Sequence, residues 1–171
     1  MHDVIKNFSS QFKYRPTIVN GDRLGRYGKF VIASMGGSNL ATGLVKMYKP
    51  DLDIVIHRDY GLPYIPDEGL KQSLIIVNSY SGNTEESLDA FKVAGERGLT
   101  RAGISVGGKL IEFAQKEGVP YIQLPDTKIQ PRLAVGFNFL ALLKIMGEEK
   151  SLEEARDLHL SLRPEDYEDA G

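Results

Sequence analysis

The chain has no cysteine and no tryptophan among its 171 residues. Without cysteine, disulfides, thiolate metal sites and a thiol nucleophile are all excluded. An excess of one charge is also missing: 21 Lys and Arg stand against 23 Asp and Glu. No segment forms the Lys/Arg stripe that a nucleic-acid surface requires, so nucleic acid is not expected as a partner. No apolar run approaches the length needed to span a bilayer. The start, Met1-His-Asp-Val-Ile-Lys-Asn-Phe8, lacks the basic flank and apolar stretch of a signal peptide. These absences predict a cytoplasmic protein with no membrane contact. His2, His57 and His159 are scattered, with neither H-E-x-x-H spacing nor a second ligand at helical distance, so no metal site is expected.

What is present is enough for one substantial core, since 42% of the residues are hydrophobic. Residues 1–27 read as an N-terminal helical arm, with Asp3 capping a short helix that aligns Val4, Ile5, Phe8 and Phe12 on one face. Five strands are then predicted: Lys29–Ser34, Asp53–His57, Ser73–Val77, Arg101–Val106 and Pro120–Leu124. Helices are expected over Asn39–Tyr48, Thr84–Arg97 and Lys109–Lys116, closed by Pro50, Gly98 and Gly118 respectively. Alternation of this kind predicts an α/β fold, a three-layer αβα sandwich around a five-stranded parallel sheet of the doubly wound type. Ligands are then expected at the carboxyl ends of the strands.

A further helix is predicted to open at Gln130-Pro-Arg132 and run to Met146 with almost no polar face. Such a helix must lie under other elements of the chain or under a second subunit or domain. From Glu148 the composition turns acidic, with Leu152, Ala155, Leu158 and Leu162 on one helical face. Pro164-Glu-Asp-Tyr-Glu-Asp169 follows. The acid pairs Glu148-Glu149 and Glu153-Glu154 read as an exposed face, without a chemical role.

The chemistry concentrates in Ser79-Tyr-Ser-Gly-Asn-Thr-Glu-Glu86, which follows the apolar run Leu74–Val77 at a strand-to-helix turn. Ser79, Ser81 and Thr84 supply hydroxyl donors and Gly82 permits a tight turn. The helix start adds unpaired N–H groups and the positive end of its dipole. This pattern predicts a cradle for the phosphate of a small molecule. The competing explanation is a capping box formed by Asn83 and Glu86, which accounts for two residues and leaves the serines without a task. Glu85 and Glu86 would repel a phosphate placed beside them, so their carboxylates are expected to point away from it.

Met35-Gly-Gly-Ser-Asn39 is a second Gly/Ser turn between strand and helix, placed to grip the other end of a phosphosugar. Gly36-Gly37 followed by Gly43 does not reproduce G-x-G-x-x-G, which argues against a dinucleotide although Asp59 is tolerably placed for a ribose contact. Gly103-Ile-Ser-Val-Gly-Gly108-Lys109 formally matches G-x-x-x-x-G-K. Leu110 replaces the magnesium-binding Ser/Thr, however, and Gly103 falls inside a strand, so no nucleotide loop is assigned and Lys109 is expected in solvent. No cofactor is predicted. Arg132, in the first turn of its predicted helix, opposes the dipole and calls either for an anion at the sheet edge or for screening by solvent.

With Met35–Asn39, Asn78–Glu85 and Gln130–Arg132 placed in one alternating fold, residues 28–147 resemble the sugar isomerase (SIS) domain. More narrowly, they resemble the N-terminal half of the bifunctional phosphoglucose/phosphomannose isomerases. The resemblance implies that Ser79, Ser81 and Thr84 bind the phosphate of a hexose 6-phosphate and that Gly37 and Ser38 contact the sugar. It further implies that Arg132 stabilises the enediolate formed when glucose 6-phosphate or mannose 6-phosphate interconverts with fructose 6-phosphate. The proton-transferring Glu and ring-opening His of that family come from a region beyond the first domain, and no E-N-S-K-like or H-N-E-like element occurs here. Residues 148–171 are therefore expected to form a C-terminal helix and the start of a linker toward a second SIS domain, and the chain is expected to associate either with that domain or with a second copy as a homodimer. The isolated chain is expected to be inactive. The alternative is a non-catalytic phosphosugar sensor, against which stands the absence of a basic helix-turn-helix segment.

Overall fold

The computed structural model describes residues 2–163 and residue 166, and side-chain surroundings from residue 4 onward. The N-terminal arm folds as α1 (His2–Lys6), a 3-10 stretch (Phe8–Lys13) and the strand β1 (Ile18–Val19). Next come β2 (Lys29–Ser34), α2 (Ser38–Tyr48) and β3 (Asp53–His57). Helix α3 (Asp67–Lys71) leads to β4 (Leu74–Asn78), α4 (Glu85–Glu96) and β5 (Arg101–Ser105). Then follow α5 (Gly108–Glu117), β6 (Tyr121–Gln123) and a 3-10 turn (Pro131–Leu133). A short 3-10 turn (Gly21–Arg23) joins β1 to β2, and the chain continues after the Pro131–Leu133 turn as α6 (Val135–Ile145), α7 (Glu149–Arg156) and α8 (Leu158–Ser161). The acidic stretch from Pro164 lies outside the described residues except for Asp166.

The strands form one six-stranded sheet in the order β1-β6-β5-β4-β2-β3, parallel throughout except for β1, which runs antiparallel to β6. Five strands were expected, and the sixth, β1, comes from the arm. Two residues are too few to show an alternation, so nothing in the sequence pattern marks it. Both faces of the sheet are covered, as a parallel sheet requires. Ile32, Ile76, Ile104 and Ile122 pack on one side with residues of α2, α6 and α7 and with Phe12 of the arm. Val31, Ile75 and Val77 pack on the other with Leu88, Phe91, Leu110 and Ile111 of α4 and α5. Successive strand residues point to opposite faces, which is why these apolar runs are buried along nearly their whole length.

Helix α6 begins five residues later than Gln130. Pro131 sets a 3-10 turn in which Leu133 N–H donates to the Gln130 carbonyl and Ala134 N–H to that of Pro131. Arg132 therefore precedes the helix and does not occupy its first turn. All residues of α6 except Val135 and Lys144 are buried, beneath α2, α7 and the N-terminal 3-10 stretch. Its apolar surface is thus covered from within the chain and does not by itself call for a second subunit. Gln11, buried in that stretch, caps α6: its Oε1 accepts from Gly136 N–H at 2.9 Å and Phe137 N–H at 3.3 Å, while its Nε2 donates to the Leu133 carbonyl at 2.7 Å. No helix is long and apolar enough to cross a membrane among the described residues.

Candidate functional site

Leaving β2 the chain turns toward β3, and leaving β4 it turns the opposite way toward β5. The loops after β2 and β4 therefore part above the sheet and leave a crevice between them, the usual ligand position in such folds. The two Ser/Gly turns occupy this place, because Ser34 and Asn78 at the strand ends are paired in register. They are also bonded to each other. Tyr80 N–H donates to Ser38 Oγ at 2.9 Å, and Asn78 Nδ2 donates to the Ser38 carbonyl at 3.1 Å. Ser38 is buried and keeps its own hydroxyl hydrogen for another acceptor.

In the loop after β4, Ser79 is turned inward. Its Oγ accepts from Gly82 N–H at 3.2 Å and lies 3.0 Å from Thr84 Oγ1. If Ser79 donates in that pair, the Thr84 hydroxyl hydrogen is left to point out of the loop. Ser81 is exposed, with its Oγ accepting from Asn83 N–H at 3.2 Å. The capping box is not formed: Thr84 is the N-cap of α4 and makes no side-chain cap bond. Asn83 instead reaches sideways, its Oδ1 accepting from Lys109 N–H at 3.1 Å. The first-turn N–H groups of α4 are thus left without a side-chain cap, beside the hydroxyls of Ser81 and Thr84. Such a helix start attracts an anion.

Two carboxylates of α4, Glu85 in its first turn and Asp89 one turn on, are engaged elsewhere. Glu85 Oε2 accepts from the Tyr60 hydroxyl at 3.1 Å, and Asp89 Oδ2 accepts from Gly61 N–H at 2.7 Å, so both are engaged by the segment between β3 and α3. The hydrogen bond to Glu85 raises the pKa of the Tyr60 phenol above its ordinary value. Placing these acids against the 58–66 segment relieves the repulsion expected between Glu85 and a phosphate.

Gly37 and Arg132 meet directly. A Cβ built on Gly37 would stand 2.5 Å from Arg132 N and 2.9 Å from both Arg132 Cα and the Pro131 carbonyl carbon. The 3-10 turn therefore lies on the first Gly/Ser turn through backbone contact. The Arg132 side chain is exposed, and its Nε donates to Gln130 Oε1 at 3.0 Å. Gly37, Ser38, Ser79, Ser81, Thr84 and Arg132 are thus gathered at one sheet edge.

The sequence pattern did not disclose the brace beneath this site. The loop between β5 and α5 supports the cradle through Val106 N–H to the Tyr80 carbonyl and Leu110 N–H to the Gly82 carbonyl, both at 3.0 Å. Ser105 Oγ adds a donor to the Tyr80 carbonyl at 3.1 Å. The signal available was Gly107-Gly108 beside a strand end, but it identifies a turn without naming what the turn touches. Lys109 is exposed, as expected.

A crystal structure of a proposed phosphosugar isomerase from Clostridium difficile shares this fold with a TM-score of 0.53 at 18% identity, over 91% of this chain and 46% of that one. No family model matches the chain. Over 132 residues the chain is 38% identical to a bifunctional phosphoglucose/phosphomannose isomerase of Caldicellulosiruptor bescii, a match covering 75% of this chain and 38% of that protein. The chain has the SIS fold and is related in sequence to these isomerases. A second relative of the same name, from Aquifex aeolicus, is 32% identical to the SIS domain over 165 residues, which is 92% of this chain and 48% of the relative. The chain thus spans less than half the length of these curated relatives.

Proposed function

We propose that this SIS domain binds a hexose 6-phosphate in the crevice between β2 and β4, as part of an aldose–ketose isomerase interconverting glucose 6-phosphate or mannose 6-phosphate with fructose 6-phosphate. The carrying observation is the junction of the two Ser/Gly turns beside an uncapped helix start, with Arg132 lying on one of them. Ser81, Thr84 and the first-turn N–H groups of α4 hold the phosphate, and Ser79 orients the Thr84 hydroxyl from below. Gly37 and Ser38 meet the sugar. Arg132 carries a permanent positive charge that opposes the negative charge of an enediolate, which is stabilisation aimed at the intermediate.

The isomerisation also needs a base to move a proton between the two sugar carbons and an acid to open the ring. Glu85 and Asp89 of α4 are engaged by Tyr60 and Gly61, and the His57 ring is engaged by the Tyr60 carbonyl. The reading therefore assigns both proton-transfer groups to residues outside this chain, in a second SIS domain or a partner copy, and places the assembly in the cytoplasm with its phosphorylated substrates.

Calorimetry and thermal denaturation of the isolated chain test this reading. Glucose 6-phosphate at a hundred times its dissociation constant should stabilise the fold by about 2.7 kcal/mol without being converted. Ser81→Ala should weaken that binding, since the Ser81 hydroxyl is exposed and its loss disturbs no buried contact. No stabilisation by any hexose phosphate, with wild type and Ser81→Ala indistinguishable, would remove the cradle. Measurable turnover by the purified chain would contradict the assignment of base and acid to outside it.

A further inference from the structure

Arg58 directly follows β3 and lies against the side chain of Asn39, in the first turn of α2. A guanidinium carries only donors, so the Asn39 atom facing it is the amide oxygen, which accepts from Arg58 Nη2 at 2.7 Å and Nε at 2.9 Å. The Asn39 amide nitrogen then donates to Ser34 Oγ at 3.1 Å, and Ser34 Oγ lies 3.4 Å from Thr42 Oγ1. Ser34, Asn39 and Thr42 are 2%, 9% and 0% exposed, whereas Arg58 is exposed. A polar chain thus runs from the end of β2, through the start of α2, to a cation at the sheet edge.

Buried polar groups are costly unless paired, and apolar side chains would hold α2 on the sheet at least as firmly. What a hydrogen-bonded chain adds is direction, because it has one satisfied arrangement. Helix α2 needs that direction at its start: Gly37 is its N-cap and no side chain caps it. The first turn is gripped from two sides. Toward β4, Ser38 takes hydrogen bonds from Tyr80 N–H and Asn78 Nδ2. Toward β3, the neighbouring Asn39 is held by Arg58.

We propose that Arg58 is a positioning residue for the sugar end of the site. By holding the Asn39 amide with two N–H groups it fixes the first turn of α2, and with it the placement of Gly37 and Ser38. This rests on the phosphosugar reading above, and it separates the two ends of the ligand. The phosphate cradle belongs to the loop after β4, which Arg58 does not hold. Losing Arg58 should therefore reduce affinity for the sugar phosphate more than affinity for phosphate itself.

The test compares wild type, Arg58→Ala and Arg58→Lys by calorimetry with glucose 6-phosphate and with inorganic phosphate, and by amide NMR of the unliganded chains. Arg58→Ala is expected to bind glucose 6-phosphate at least tenfold more weakly, to keep its phosphate affinity within twofold, and to move the Gly37 and Ser38 amide signals. Arg58→Lys should stay close to Arg58→Ala, because one ammonium cannot reproduce a two-pronged hold on a single oxygen. Full recovery in Arg58→Lys, an unchanged sugar-phosphate affinity in Arg58→Ala, or an equal loss for both ligands would each overturn the positioning role. If wild type binds neither ligand, the functional reading fails. The amide signals then decide the hold on α2 alone, and their staying in place in Arg58→Ala overturns it.

Discussion

Gly37 shows what a single residue can reveal and conceal. Its φ of −63° and ψ of −32° are open to any amino acid, so backbone freedom does not explain it. Space does, since an added Cβ would press on Arg132 N, Arg132 Cα and the Pro131 carbonyl carbon, all of them unable to swing away as a flexible side chain would. Gly82 is held by both reasons at once: its φ is +70°, and a Cβ there would overlap the Gly107 carbonyl oxygen. The sequence marks both glycines as turn formers, but the contact partner of Gly37 is far away in the chain and leaves no local trace. Gly37→Ala is expected to push the Pro131–Arg132 backbone away from the crevice. Overpacking of this kind costs about 1–3 kcal/mol, a fall in Tm of roughly 2–12 °C for a domain of this size. Differential scanning calorimetry measures it, and an unchanged Tm would mean that the 3-10 turn moves aside freely.

At the scale of elements, the strands were legible because runs such as Leu74–Val77 are apolar and mostly β-branched, and the helices α2, α4 and α5 because apolar positions recur at helical spacing. Where local pattern and structure part, a long-range partner decided the outcome in two places and shortness in two others. Asn83 and Glu86 have the spacing of a capping box, yet Asn83 turns to Lys109 once the β5–α5 loop lies beside it. Gln130-Pro-Arg132 reads as a helix start, but α6 waits until Val135, where Gln11 of the arm supplies the cap. Helix α3 and strand β1 are too short to carry a period. The cap gives a direct test. Gln11→Ala leaves Gly136 N–H, Phe137 N–H and the Leu133 carbonyl without this partner at a site only 4% exposed. A loss of about 1–3 kcal/mol is expected for such unmet buried groups, read as a shift in the urea midpoint. A midpoint equal to that of wild type would show that α6 needs no cap from the arm.

For the whole molecule, alternation of strands and helices announced the doubly wound sheet, whereas the arm's part in it became visible only in three dimensions. Besides pairing β1 with β6, the arm donates from Tyr14 Oη to the Gln123 carbonyl at 2.9 Å and from Arg23 Nη1 to the Gly118 carbonyl at 2.9 Å. It thereby covers an edge that would otherwise present unpaired backbone groups. The attachment carries its own pH dependence. Burial pushes the Tyr14 phenol from an ordinary 10.0 up to about 12, so the folded state holds this proton more tightly than the unfolded chain does. The sign follows from linkage: the contribution of Tyr14 is complete below pH 10 and is lost as pH rises from 10 to about 12. Tyr48, Lys49 and Tyr60 are also raised, so the profile of wild type alone would mix four groups. Denaturant unfolding of wild type and Tyr14→Phe in parallel isolates the arm. Their difference in stability should be constant up to pH 10 and shrink above it, while a difference that stays constant through pH 12 would mean that the Tyr14 phenol ionises as freely in the folded chain as in the unfolded one.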